Sequence, residues 1–303
     1  MSWTSRQIAM DELHVFEPDW LTLRNAGDEN PFMSVSVELL KSSLGLASAL
    51  AGIVPGQPLG LYAAIRCGLL VRACKLCTDL LADVCVLKGR QQLALNRELI
   101  ETLANLSYLC GDDEHGIRHL AFLQDSLIAE REFLKVVERQ QVLNGGIELP
   151  MEARIRVSIN ETAKAAGVDL DQLPGRRRIN WPSALDRIEM AFGATAYPAF
   201  RAGSGAVHGT WHDLLRNHLV QVDGGFEPNF QAARPRPQPL LSAAIQLTTT
   251  AITYLRRQPD VHQQIFNQPL AAALGFALRA DDLHERWLST CGGQHHRDPS
   301  VTG

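Results

Sequence analysis

The chain predicts an all-α helical bundle, and three observations carry that reading. It has an Ala- and Leu-rich texture, with only 6% aromatic residues among its 303. Apolar residues recur at helical spacing over long stretches, and no sustained run of β-branched residues alternates with polar ones. Pro and Gly fall between those stretches and mark their ends. At 46% hydrophobic and 20% charged, the composition excludes collagen, a disulfide miniprotein and a wholly disordered chain, and the length is ample for a core. We divide the chain into an N-terminal helical extension over 1–58, a helical bundle over 59–290 and a flexible, disordered C-terminal tail over 291–303.

The first 33 residues are polar and lack a clear period, and the first long helix is expected over Ser34 to Val54, followed by a turn at Pro55 to Gly60. The uncharged stretch from Ser42 to Ile65 is cut by Pro55, Gly56, Pro58 and Gly60 into pieces shorter than the roughly 18 residues a membrane span needs. No membrane partner is expected. The second helix runs from Leu61 to Lys88, where Cys67, Leu70, Cys74, Cys77, Leu81 and Cys85 share one stripe. Cys74 and Cys77 have zinc-compatible spacing but lack a second ligand pair, so the stripe reads as core with reduced thiols. The third helix, Gln91 to Cys110, sets Leu99, Leu103, Leu106 and Cys110 on one face and Glu98, Glu101, Asn105 and Tyr108 on the other. That polar face either meets water or lines a cleft.

A fourth helix over Gly116 to Gln141 carries Leu120, Leu123, Leu127, Leu134 and Val137 and stops before Asn144-Gly145-Gly146. Ser158-x-x-Glu161 has the capping-box pattern and predicts the start of a short helix ending at Gly167. After Arg176-Arg177-Arg178, Ser183 is the candidate N-cap of a helix ending at Gly193. Ala196 to Leu219 reads as helix, with Gly203 and Gly205 signalling either a start near Ser204 or close backbone packing. Asp223 to Pro239 reads as a Gly/Pro-rich loop, either covering a site or arching over the bundle. Helices over Leu240 to Arg257 and Leu270 to Thr290 close the fold. Asp281 to Glu285 within the last reads as a charged helix surface.

Net charge is −4, so no global positive field points to nucleic acid. Met1 to Trp20 holds acids and no continuous apolar segment, so a cytoplasmic location is expected. Walker A, paired Gly-x-Gly-x-x-Gly and Gly-x-Ser-x-Gly patterns are absent from the sequence, which removes P-loop, Rossmann and α/β-hydrolase readings. The pairs His115/His119 and His208/His212 have the spacing of two ligands on one helical face, but neither has a His-Glu-x-x-His or Glu-x-x-His context. No metal and no cofactor is assigned.

The segment Tyr197 to Gly209 holds the chemistry. On a helix, Arg201 and His208 lie two turns apart on one face, with Ser204 between and His212 one turn on. A permanent cation beside an imidazole suits phosphate chemistry, although the same spacing also describes a solvent-facing stripe or a histidine bonded to a backbone carbonyl.

The order of "NRELIETLANLSYL", "WPSALDRIEMAFG" and "YPAFRAGSGAVHGTW" resembles an uncharacterised bacterial all-helical family with an Arg-x-x-x-Glu helix and a late Tyr…Ser-x-x-x-His-Gly motif. The positions matched are Arg97, Glu101, Trp181, Tyr197, Ser204, His208 and Gly209. More distantly, Arg201-x6-His208 is similar to the signature of HEPN domains, small helical bundles that dimerise and include metal-independent endoribonucleases as well as binding modules. That resemblance implies RNA as partner, a homodimer, and Arg201, His208, Ser204 and Glu101 as catalytic residues. Arg97, Tyr197, His212 and Arg176, Arg177 and Arg178 would hold substrate. Two other classes remain open on the sequence, a non-catalytic protein-protein interaction module and a metal-dependent enzyme using the paired histidines.

Overall fold

The computed structural model describes residues 13–53, 58–86, 89–113, 115–231 and 233–295. The all-α class is borne out. The described residues form α1 (Trp20–Arg24), α2 (Asn30–Gly52), α3 (Leu61–Cys85), α4 (Gly89–Leu109), α5 (Ile117–Leu143), α6 (Pro150–Ala166), α7 (Ala184–Phe192), α8 (Tyr197–His208), α9 (Trp211–Asn217), a hairpin of β1 (Leu219–Val222) and β2 (Gly225–Pro228), α10 (Pro237–Leu255) and α11 (Asp260–His295). The turn expected at Pro55 to Gly60 lies in part outside the described residues, as do residues 296–303 of the expected tail, whereas its first five residues, 291–295, continue the last helix instead of being disordered. None of the helices in the described residues is long and apolar enough to cross a membrane.

Contacts divide the chain into two compact units, one of Met1–Pro58, Arg66–Cys110 and Ala184–Gly303, the other of Leu59–Ile65 and Gly111–Ser183. In the first, α2, α3, α4, α10 and α11 enclose a core built from Leu39, Leu46, Leu70, Leu103, Leu247 and Phe266, among others. Each Leu or Phe fully removed from water contributes roughly 1.5–3 kcal/mol, which makes this face of every helix the main source of its stability. The cysteine stripe sits here as expected at Cys74 and Cys77, while Cys67 is half-buried and Cys85 exposed. Burial pushes the thiols of Cys74 and Cys77 up, and that of Cys110 to about 12, so they are protonated and unreactive at neutral pH.

Several boundaries differ from the sequence reading, each for a local reason. The helix expected from Leu270 to Thr290 starts ten residues earlier, at Asp260, carries Pro269 within it, and continues to His295. Within it, Asp282 and Glu285 are exposed as expected of a charged surface, but His284 is buried. Its Nε2 lies 3.1 Å from Glu29 Oε1, and its ring packs on Phe32 and Trp287. The loop expected over Asp223 to Pro239 contains a hairpin instead. Asp223-Gly224 is a two-residue turn that pairs Val222 with Gly225 and Leu219 with Pro228, and Asp-Gly between short apolar runs favours that reversal. Pro237 already belongs to α10, where a missing N–H costs nothing in the first turn.

In the second unit, α5 and α6 pack around Leu127, Ile128, Ala163 and Leu173. Leu120, placed on the core stripe by its spacing, is exposed instead. The α6 helix does not start at the Ser158 capping box. It starts eight residues earlier, with Pro150 in its first turn and the Glu152 carboxylate accepting the Leu149 N–H at 2.8 Å, which leaves Ser158 mid-helix. Its end at Gly167 is as expected.

His119 and Asp113 form a buried pair in this unit, Nδ1 to Oδ2 at 2.8 Å, and Tyr62 stacks on the imidazole at 4.6 Å. Desolvation raises the Asp113 pKa, but hydrogen bonds from His119 and the Arg118 and His119 amides outweigh it, and the carboxyl sits below its usual value. A depressed carboxyl contributes stability above the unfolded aspartate value near 4 and loses it as pH falls through the folded value. Thermal melts between about pH 6 and about pH 3 are therefore expected to show a smaller acid-side loss for Asp113→Asn than for the parent. Equal losses would mean that the pair is not linked to folding.

Candidate functional site

The α4 helix is buried on two sides. Leu99, Leu103 and Leu106 enter the main core, whereas Ile100 and Ala104 form a second cluster with Ile188 of α7 and Phe200 of α8. Its polar side finds protein partners while Glu98 stays exposed and Glu101 half-buried. Glu98 meets Arg72 at 3.2 Å, and Asn105 Oδ1 accepts from Arg187 Nε at 2.6 Å. The same guanidinium lies 3.8 Å from the Glu101 carboxylate.

Arg187 was not singled out by sequence reasoning, although a signal was present. Ala184, Arg187, Ile188 and Ala191 occupy one helical stripe, and an arginine in the middle of an inward-facing apolar stripe calls for a buried partner. Its side chain is only 6% exposed. Arg187→Ala is expected to lower urea-unfolding stability by about 2 kcal/mol, since it strips a charge-assisted bond from Asn105 while Glu101 recovers solvation. A change under about 0.5 kcal/mol would mean that the network adds nothing to the fold.

Running through both glycines, α8 ends at Gly209, whose φ of 59° lies in the left-handed region that favours glycine. Thr210 then caps α9, its hydroxyl accepting the Asp213 N–H. The single helix expected over Ala196 to Leu219 is thus two, and His212 stands on α9 rather than one turn beyond His208 on a common face. Of the two alternatives at Gly203, close packing is the one observed. A Cβ there would lie 2.4 Å from the Leu93 carbonyl oxygen and 2.6 Å from Arg97 Cβ, so α8 crosses α4 at backbone contact.

That approach joins the two polar motifs. Arg97 Nε donates to Ser204 Oγ at 2.9 Å, the Ser204 hydroxyl donates to the Phe200 carbonyl at 3.2 Å, and the Arg97 guanidinium stands 5.0 Å over the Phe200 ring. Tyr197 packs against the same ring at 6.0 Å. Ser204 is buried and committed to α4, whereas Arg201 and His208 are both exposed. Seven residues at 100° each leave those two about 20° apart around α8, with Ser204 about 60° from Arg201 on the flank nearer α4. Among the described residues no hydrogen bond or ion pair joins Glu101 to Arg201 or His208.

The remaining candidates lie elsewhere. Arg176, Arg177 and Arg178 form an exposed 3₁₀ turn in the second unit, with Arg176 Nε 3.5 Å from Asp125. His115 precedes the first turn of α5 and is exposed, while His119 is buried against Asp113, so these two do not share a helical face. Among the described residues no group of three or more His, Cys, Asp or Glu side chains is placed to hold a metal ion.

A family model described as a family of unknown function, DUF5677, matches residues 63–226, more than half of the chain, and the chain belongs to that family. The match takes in α4, α7 and α8, and therefore the whole of the Arg97–Ser204 and Arg187–Asn105 seam. No curated protein and no solved structure matches the chain.

Proposed function

For this member of DUF5677, we propose that the exposed stripe of α8 engages RNA and cuts it without a metal ion. The observation that supports the reading most is the continuity of α8 from Tyr197 to His208, which sets Arg201 and His208 two turns apart on one exposed stripe. The Arg97–Ser204 bond and the backbone contact at Gly203 hold that helix against α4.

In the reaction the RNA 2′-hydroxyl attacks the adjacent phosphorus and the P–O5′ bond breaks, leaving a 2′,3′-cyclic phosphate and a 5′-hydroxyl. The His208 imidazole takes the 2′ proton and a proton is returned to the leaving 5′ oxygen. The Arg201 guanidinium offsets the charge that builds on the phosphoryl oxygens. Purified full-length protein incubated with structured RNA tests this directly. Cutting that survives EDTA and leaves cyclic phosphate ends is the expected result, and cutting that EDTA abolishes, or none on any RNA, overturns it.

A protein-partner reading has separate support in the second unit. Phe133, Val136, Val142, Leu143, Ile147 and Met151 along and around the end of the α5–α6 hairpin are all exposed, and an apolar surface of that kind is a common mark of an interaction site. Replacing Leu143 and Ile147 with serine separates the two readings, since RNA cutting is expected to be unchanged.

A further inference from the structure

The α8 stripe continues into a surface whose composition bears on the kind of RNA it takes. Three residues past His208, Trp211 opens α9 and is 58% exposed. The hairpin sets Phe226 against it, ring centroids 5.5 Å apart and nearly perpendicular, and Phe226 is itself 48% exposed. Beyond the hairpin stands Phe230, 95% exposed, on a segment anchored by the Asn229 N–H donating to the His218 carbonyl at 2.8 Å. Core packing accounts for none of this exposure. Aromatic rings exposed to water are costly and are useful to a partner with flat apolar faces.

The charge around the rings narrows the partner. Between Ala194 and Val222 the one acid is Asp213. It is buried, receives the Asn217 amide at 2.9 Å and lies 3.6 Å from His218, so it puts no carboxylate on the surface. The exposed polar groups of the same stretch include Arg201, His208, His212 and Arg216, and the hairpin adds two exposed acids, Asp223 in its turn and Glu227, which follows Phe226 on β2 and so lies on the opposite side of the strand. Exposed aromatic rings on α9 and the hairpin, with Arg201 and Arg216 on the helices beside them, match unpaired bases and the phosphates between them. They do not match a duplex, whose bases are stacked on one another and leave only backbone and groove to contact.

Resting on the RNA reading of α8, we propose that the α9–hairpin surface is a stacking platform for single-stranded RNA, with Trp211 and Phe230 receiving bases flanking the phosphate at Arg201 and His208. Trp211 is within about 11 Å of His208 along the chain, the reach of three extended residues and the scale of one or two nucleotides.

The test is the affinity of the full-length protein for a fluorescein-labelled 12-nucleotide single strand and for a 12-base-pair RNA duplex. 2′-O-methyl substitution at every position removes the attacking hydroxyl and so blocks cutting in both, while the strands keep RNA-like geometry. The single strand is expected to bind at least about tenfold more tightly. Trp211→Ala and Phe230→Ala are each expected to weaken it by about tenfold while changing duplex binding little, and Trp211→Phe to restore most of the loss. Among the described residues Phe230 makes no ring contact that its loss would disturb, so its variant separates stacking from folding. Equal affinity for the two RNAs, or single-strand binding unchanged in Phe230→Ala, overturns the platform and leaves the RNA reading standing. If neither RNA binds, both fall, and the exposed rings then belong to a protein interface.

Discussion

His208→Ala is expected to cut RNA at least about 100-fold more slowly than the parent protein, and Arg201→Ala to lose a comparable factor. Positioned acid–base groups contribute 10² to 10⁴ in rate. A guanidinium beside a phosphoryl group that gains charge in the transition state acts in the same range. Both side chains are exposed and, among the described residues, take part in no buried network, so circular dichroism and the thermal midpoint should match the parent. Arg201→Lys tells a charge from a fork. The lysine keeps one positive charge and loses the bidentate geometry, so partial activity is expected if the guanidinium clamps two phosphoryl oxygens. His208→Ala cutting at the parent rate, with folding matched, removes the imidazole from the chemistry and the cleavage proposal with it.

The largest stability effect is expected at Gly203. Valine there is expected to cost at least about 3 kcal/mol in chemical unfolding. Two terms compete in any glycine replacement on this helix. Relieving a helical glycine gains up to about 1 kcal/mol, while forcing volume into a packed contact costs about 1–3 kcal/mol. At Gly203 even the first carbon would sit 2.4 Å from a backbone oxygen, an atom that cannot rotate away, so α4 and α8 must separate. Separation also loosens the cluster of Ile100, Ala104, Ile188 and Phe200 and stretches the Arg97–Ser204 bond. The branched side chain of valine adds two more carbons and loses rotamer freedom in a helix. Gly205→Ala is the control. Its Cβ would meet only the Thr210 hydroxyl, at 3.1 Å, which belongs to a movable side chain, and a change within about 1 kcal/mol is expected. If Gly203→Val is no worse than Gly205→Ala, the close crossing of α4 and α8 is not present in solution.

Much of the helical frame was legible in advance because its signals are local. The apolar face of α4 was read correctly at Leu99, Leu103, Leu106 and Cys110, all buried, since 3.6-residue periodicity is a property of one helix alone. The ends at Gly167 and Gly193 followed from residues that disfavour continuing a helix. Where local signals competed, the sequence reading chose wrongly. Pro150 with Glu152 started α6 ahead of Ser158, Gly209 with Thr210 split one expected helix into two, and Asp223-Gly224 made a hairpin inside an expected loop. Each losing motif was a permitted pattern that a stronger neighbour overrode.

The candidate site divides along the same line. Arg201, Ser204 and His208 could be picked out by spacing on one predicted helix, and so could the polar face of Glu98, Glu101 and Asn105. What that face does could not, because its partners are remote. Arg97 meets Ser204 across 107 positions, and Asn105 meets Arg187 across 82. The amino-acid sequence by itself determined the helices, the all-α class and the stripe bearing Arg201 and His208, because hydrophobic period and chain-breaking residues act within a few positions. Only the tertiary structure decided that Ser204 turns inward to Arg97, that Arg187 pairs with Asn105 and Glu101 on the polar side of α4, and that Trp211, Phe226 and Phe230 stand out on the same unit. Those outcomes depend on which helices approach closely enough, at Gly203 above all, for distant side chains to meet.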